Sequence, residues 1–86
     1  MADLVVHDRA ARYIKRLDAR IKNQLIAKLN QLADDPDAMP GAKPMSGEWA
    51  GFFRFRHGDL RVIYLYDRPR NTVVVAHVGP RGDVYK

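Results

Sequence analysis

Arginines stand at positions 54, 56 and 61 around a Gly58-Asp59 pair, and a further arginine and a tyrosine follow at 81 and 85. Guanidinium groups hold phosphate oxygens in bidentate fashion and stay charged at any relevant pH. Whether these residues act together depends on strand register. A two-residue turn at Gly58-Asp59 sets His57 against Leu60, Arg56 against Arg61, Phe55 against Val62, Arg54 against Ile63 and Phe53 against Tyr64. Directly paired residues share a face, as do alternate residues along one strand. One face then carries Arg54, Arg56, Arg61 and Ile63. The other carries Phe53, Phe55, Val62, Tyr64 and Tyr66, which suits it to cover helices.

Like charges placed opposite each other repel by roughly 0.2–1 kcal/mol, so stability alone does not recommend Arg56 beside Arg61. A bound anion reverses the sign of that effect. The alternative is that the two splay into solvent or pair with Asp59, Asp67 or Glu48. Register also puts His57 on the face away from the arginines, and His77 reads as a strand-end residue without a chemical role. Gly79-Pro80 ends the last apolar run, so Arg81 and Tyr85 are expected at one sheet edge within reach of the arginine face. The sequence alone describes a cationic patch with a phenol nearby.

The elements that must position this patch are legible from periodicity. A β-prone start at 4–7 precedes Asp8, a candidate N-cap. Tyr13, Ile14, Leu17, Ile21, Leu25, Ile26, Leu29, Leu32 and Ala33 then recur at helical steps and are expected in the core. Asp18-Ala19 breaks the stripe into helices near 8–17 and 19–34, a hairpin. Pro36 stops the second helix, and Pro40, Gly41, Pro44 and Ser46 mark a loop that includes Lys43. Period two takes over in strands 52–57, 60–66 and 72–78, with 68–71 as the second turn. The order β-α-α-β-β-β is an α+β fold, a helical hairpin on one face of a mostly antiparallel four-stranded sheet. The first strand is expected beside the last.

Eighty-six residues fit a single domain spanning 1–86. The chain has no cysteine, which excludes disulfides and thiolate metal sites and fits a reducing compartment. Histidines at 7, 57 and 77 show no ligand spacing, so neither a metal nor another cofactor is expected. No apolar run approaches ~20 residues, and no signal-peptide pattern opens the chain, so a cytoplasmic protein without a membrane partner is expected. The net charge of +5 is uneven: residues 1–41 carry seven basic and six acidic side chains, residues 42–86 eight and four. That excess suits nucleic acid or an acidic protein, although a generic basic surface has the same composition.

Gly51-x-x-Arg54-x-Arg56-x-Gly58-Asp59-x-Arg61-Val62-Ile63-Tyr64, followed by Val78-Gly79-x-Arg81-x-x-Val84-Tyr85, resembles the RelE/ParE superfamily of bacterial and archaeal toxins. The likeness covers nearly the whole chain. The RelE branch implies a metal-independent mRNA interferase that enters the ribosomal A site and is neutralised by a cognate antitoxin. The positions that match its active-site residues are Arg61, Arg81 and Tyr85. Arg54 and Arg56 match basic positions on one strand, and Lys43 lies in a loop that relatives often make basic. The ParE branch, whose members poison DNA gyrase, shares the fold, and a non-catalytic protein-binding relic is a third reading.

Attack by the ribose 2′-OH on phosphorus needs a base, charge stabilisation and an acid for the leaving 5′-oxygen. Arginine, with a pKa above ~12, supplies only the second. The expected roles are therefore transition-state charge for Arg61 and Arg81, proton transfer or base stacking for Tyr85, and phosphate positioning for Arg54, Arg56 and Lys43. Pro80 departs from the family, since many relatives carry histidine before the arginine.

Overall fold

A computed structural model describes residues 1–80. The elements are β1 (Asp3–Val6), α1 (Asp8–Lys15), α2 (Ala19–Asp34), β2 (Lys43–Pro44), a 3₁₀ turn (Gly47–Trp49), β3 (Phe53–His57), β4 (Leu60–Asp67) and β5 (Thr72–Pro80). Both helices begin on side-chain caps. His7 Nδ1 accepts from the Arg9 amide at 3.2 Å, so His7 takes the cap position expected of Asp8, which instead opens the first turn. Asp18 accepts from the Ile21 amide at 3.0 Å, which is why the stripe breaks there. An aspartate at the first turn also complements the positive end of the helix dipole.

The sheet has five strands in the order β1-β5-β4-β3-β2, one more than the four expected. The added strand is only Lys43–Pro44, too short to give a period, and it pairs antiparallel with β3. β1 runs parallel to β5, placing the first strand beside the last, and the remaining pairs are antiparallel. The hairpin register is the one derived from the Gly58-Asp59 turn: Phe53 with Tyr64, Arg54 with Ile63, Phe55 with Val62, Arg56 with Arg61 and His57 with Leu60. Gly58 itself has φ 59°, a conformation that a side chain disfavours. The last strand runs through Pro80, two residues further than its apolar run suggests, with Leu60 as partner.

The helices lie on one face of the sheet. Ala10 and Ile14 of α1, and Leu25, Leu29 and Leu32 of α2, pack in one cluster with Phe55, Val62, Tyr64, Val73, Val75 and Val78. Tyr13 and Leu17 flank it, half-buried. Ile21 and Ile26 do not join the core as expected and remain 37% and 42% exposed. Ile26 is one residue off the Leu25–Leu29–Leu32 line, about 100° around the helix, and so turns away from the sheet. Ile21 lies near the start of α2, over a cleft it shares with Leu17 and the β3–β4 turn.

The loop after α2 is fastened to the β4–β5 turn by a bidentate pair. Arg68 Nη1 donates to Asp37 Oδ2 at 3.1 Å, and Nη2 donates to Oδ1. The same guanidinium lies 5.1 Å over the Tyr66 ring. Hydrogen bonding from Arg68 holds the Asp37 carboxyl below the usual carboxylate range. A depressed folded-state pKa gives stability that is present above the unfolded value and lost as pH falls through the folded one. A carboxylate-resolved NMR titration should place the Asp37 midpoint below that of a free aspartate, and Arg68→Ala should return it to the ordinary value. Equal midpoints in the two proteins would show that the pair does not persist in solution. Both side chains are more than half exposed, so its effect on the melting temperature is expected to be small.

Candidate functional site

The face opposite the helices is built by register. One row across the sheet runs Lys43, Arg54, Ile63, His77, and a second runs Arg56, Arg61, Gly79. Four cations therefore share one surface over three adjacent strands, whose spacing is roughly 4.8 Å. Lys43 reaches it because β2 pairs Lys43 with Arg54, a placement that a loop reading does not provide. A shallow depression of about 280 Å³ is lined by Gly41, Lys43, Arg54, Phe55 and Arg56.

The four cations differ in access. Arg56 is exposed and Arg54 half-buried, whereas Arg61 is only 4% exposed. Arg61 therefore does not splay into solvent, one of the alternatives open from the sequence. Asp67 Oδ2 lies 3.9 Å from Nε of Arg70. Ile63, next to Arg61 in the outward alternation, is fully buried although it faces away from the helices. Arg54, Arg56 and Lys43 therefore form the accessible part of this surface and Arg61 its buried part. Arg81 and Tyr85, the other two expected site residues, lie outside the described residues.

The register between β4 and β5 slips by one residue at Ile63/Tyr64: Tyr64 pairs with Val75, but Ile63 pairs with His77. Ala76 is the extra residue of this bulge. Strict alternation from Val73 and Val75 would send residue 77 toward the helices. The bulge sends Val78 into the core instead and turns His77 and Gly79 onto the arginine face. His77 therefore lies within β5 on the arginine face rather than at the end of the strand. Nε2 of His77 is buried without a hydrogen-bond partner among the described residues. A Cβ added to Gly79 would stand 2.8 Å from that nitrogen, so the ring lies across the glycine paired with Arg61. The sequence signal was present as the spacing Val73, Val75, Val78, two then three residues.

Two other depressions lie on the helix side. His57 lines one with Leu17, Ile21, Gln24 and Leu60, on the side that register assigns it. The second, of about 400 Å³, is framed by Phe53, Tyr64, Tyr66 and the Asp37–Arg68 pair. Burial and the nearby Asp37 charge push the Tyr64 phenol up, which keeps it a neutral hydroxyl rather than a base.

Comparison with known proteins places this geometry. The family model described as the ParE toxin of the type II toxin–antitoxin system parDE matches residues 4–85. Toxin RelG of Mycobacterium tuberculosis is 41% identical over 44 residues, and the match spans about half of each chain, 51%. The fold superposes on the toxin–antitoxin complex RelBE2 of M. tuberculosis with TM-score 0.80 at 28% identity, covering 93% of this chain and 98% of that one. It superposes on the archaeal RelE–RelB complex of Pyrococcus horikoshii OT3 with TM-score 0.81 at 20% identity, over 95% and 97% of the two chains. For the isolated Escherichia coli RelE toxin the values are 0.78, 21%, and 99% and 92%. The last two establish a shared fold, and the match over nearly the full length establishes kinship: the chain belongs to the ParE toxin family of type II toxin–antitoxin systems, within the RelE/ParE superfamily.

Proposed function

We propose that this toxin is a ribosome-dependent endoribonuclease that cuts mRNA in the A site and is neutralised by a cognate antitoxin. The observation that carries the reading is the convergence of Lys43, Arg54, Arg56 and Arg61 on one face of the sheet. Opposed arginines cost stability unless an anion lies between them, and a polynucleotide supplies anions in series. In this reading the ribose 2′-oxygen bonds to phosphorus and the bond to the 5′-oxygen breaks, leaving a 2′,3′-cyclic phosphate and a 5′-hydroxyl. Arg61 and Arg81 stabilise the charge that builds on the non-bridging oxygens. Tyr85, as the phenolate, takes the 2′-OH proton. Arg54, Arg56 and Lys43 hold flanking phosphates. Work on ribosomes places the protein in the cytoplasm.

A partner is supported by the relatives RelBE2 and archaeal RelE–RelB, both of which are toxin–antitoxin complexes. A segment rich in acidic side chains suits the arginine face and would shield it from RNA. The matching family model bears the ParE name, which favours gyrase inhibition as the second reading. Expression without antitoxin separates the two. We expect growth arrest, new mRNA 5′ ends in phase with codons, and plasmid supercoiling unchanged from the uninduced culture. Altered supercoiling with intact mRNA would replace the nuclease by the gyrase reading, and absence of arrest would leave a protein-binding module.

A further inference from the structure

The cleavage chemistry needs an acid for the departing 5′-oxygen, and none of the arginines can serve, because guanidinium holds its proton throughout the useful pH range. Among the described residues, the cationic face carries one imidazole, that of His77, and imidazole is the side chain most often used for general acid–base work. Three independent observations converge on it. The β4–β5 bulge turns it onto the arginine face rather than into the core. Its Nε2 is buried with no hydrogen-bond partner among the described residues, a condition costly enough to be rare in folded proteins. Its ring lies across Gly79, whose strand partner is Arg61 and whose missing Cβ leaves that nitrogen its room.

We propose that His77 is a further catalytic residue of this toxin, donating the Nε2 proton to the 5′-oxygen as the P–O5′ bond breaks. The proposal rests on the RNA-cleaving reading given above. The balance is simple: the 2′-OH proton goes to the base, the electron pair of the P–O5′ bond goes to the 5′-oxygen, and the His77 proton caps it as a hydroxyl. His77 ends as neutral imidazole and is reset from water. Arg61 and Nε2 of His77 are both buried on this face, on either side of Gly79. A phosphate oxygen or the 5′-oxygen then gives Nε2 the partner it lacks. Pro80 cannot supply this function, having neither a titratable side chain nor a backbone N–H.

The test uses ribosomes carrying two mRNAs, one natural and one with a bridging 5′-sulfur at the A-site cleavage position. A thiolate leaves without protonation, so loss of a general acid is hidden on the sulfur substrate. His77→Gln keeps an N–H donor near the Nε2 position but cannot transfer its proton. We expect it to melt cooperatively, to cut natural mRNA on the order of 100-fold more slowly than wild type, and to cut the sulfur substrate within a few-fold of wild type. Wild-type speed on natural mRNA would overturn the proposal, and so would equal deficits on both substrates, which mark a structural role. Should His77→Gln fail to fold, His77→Asn is read against the same pair of substrates. Wild type cutting neither RNA would remove the nuclease reading and the His77 assignment with it, an outcome seen in the wild-type arm alone.

Discussion

Arg61→Ala is expected to slow A-site mRNA cleavage by about 10²–10³-fold, the usual cost of removing one group that stabilises transition-state charge. Expression without antitoxin should then no longer arrest growth. The expectation follows from where Arg61 stands. It is opposed by Arg56 on one side and Gly79 on the other, next to the His77 ring, and only 4% of it is exposed. A guanidinium held away from bulk water interacts with a phosphate far more strongly than one at the surface. Arg61→Lys keeps the charge but loses the planar bidentate fork, and should recover only part of the rate. Arg56, exposed and opposite, is expected to matter mainly for binding, so Arg56→Ala should raise the mRNA concentration needed more than it lowers the maximal rate. Thermal melting of Arg61→Ala separates chemistry from folding, since its side chain lies on the face away from the helices. Cleavage at the wild-type rate would remove Arg61 from the site.

Much of this arrangement is written locally in the chain. The two-residue turn at Gly58-Asp59 dictates the β3–β4 register, and with it the placement of Arg54, Arg56 and Arg61 on one face. Asp18 breaks the helical stripe by capping α2, and that too follows from a single residue. What escaped the sequence has non-local causes. Lys43 joins the face through pairing with a strand ten residues away, and a two-residue strand leaves no periodic trace. The helical stripe gives the direction of burial but not the extent of the sheet beneath it, so Ile21 and Ile26 could not be told from Leu25. The face that His77 takes is hidden because a bulge shifts the parity of everything beyond it, and its one sign is a three-residue step between valines. Of the six site residues expected from the sequence, Lys43, Arg54, Arg56 and Arg61 come together, while Arg81 and Tyr85 stand outside the described residues.

Phe55→Ala should cost about 3–5 kcal/mol of folding stability, the range for truncating a buried aromatic ring. For a domain near this length a loss of 1 kcal/mol lowers the melting temperature by roughly 4–8 °C, so a drop of at least about 12 °C is expected. Phe55 is 2% exposed, pairs with Val62 and lies 6.1 Å from the Tyr64 ring at a tilt of 58°. Its immediate neighbours Arg54 and Arg56 point to the other face, so the ring that anchors β3 in the core also fixes where two of the cations stand. Total stability for so small a chain is of the order of 5–10 kcal/mol, and the variant should sit near its unfolding threshold at growth temperature. Toxicity is therefore expected to fall although every phosphate-binding side chain remains, the reverse of Arg61→Ala, where the fold stays and the chemistry goes. Phe53 provides the internal contrast. It faces the same side two residues earlier and stacks on Tyr64 at 5.9 Å, but is 39% exposed. Phe53→Ala should melt within a few degrees of wild type. Similar melting temperatures for the two variants would mean that the core is not centred under the arginine strand, and that the cations are held in place by something other than the alternation of β3.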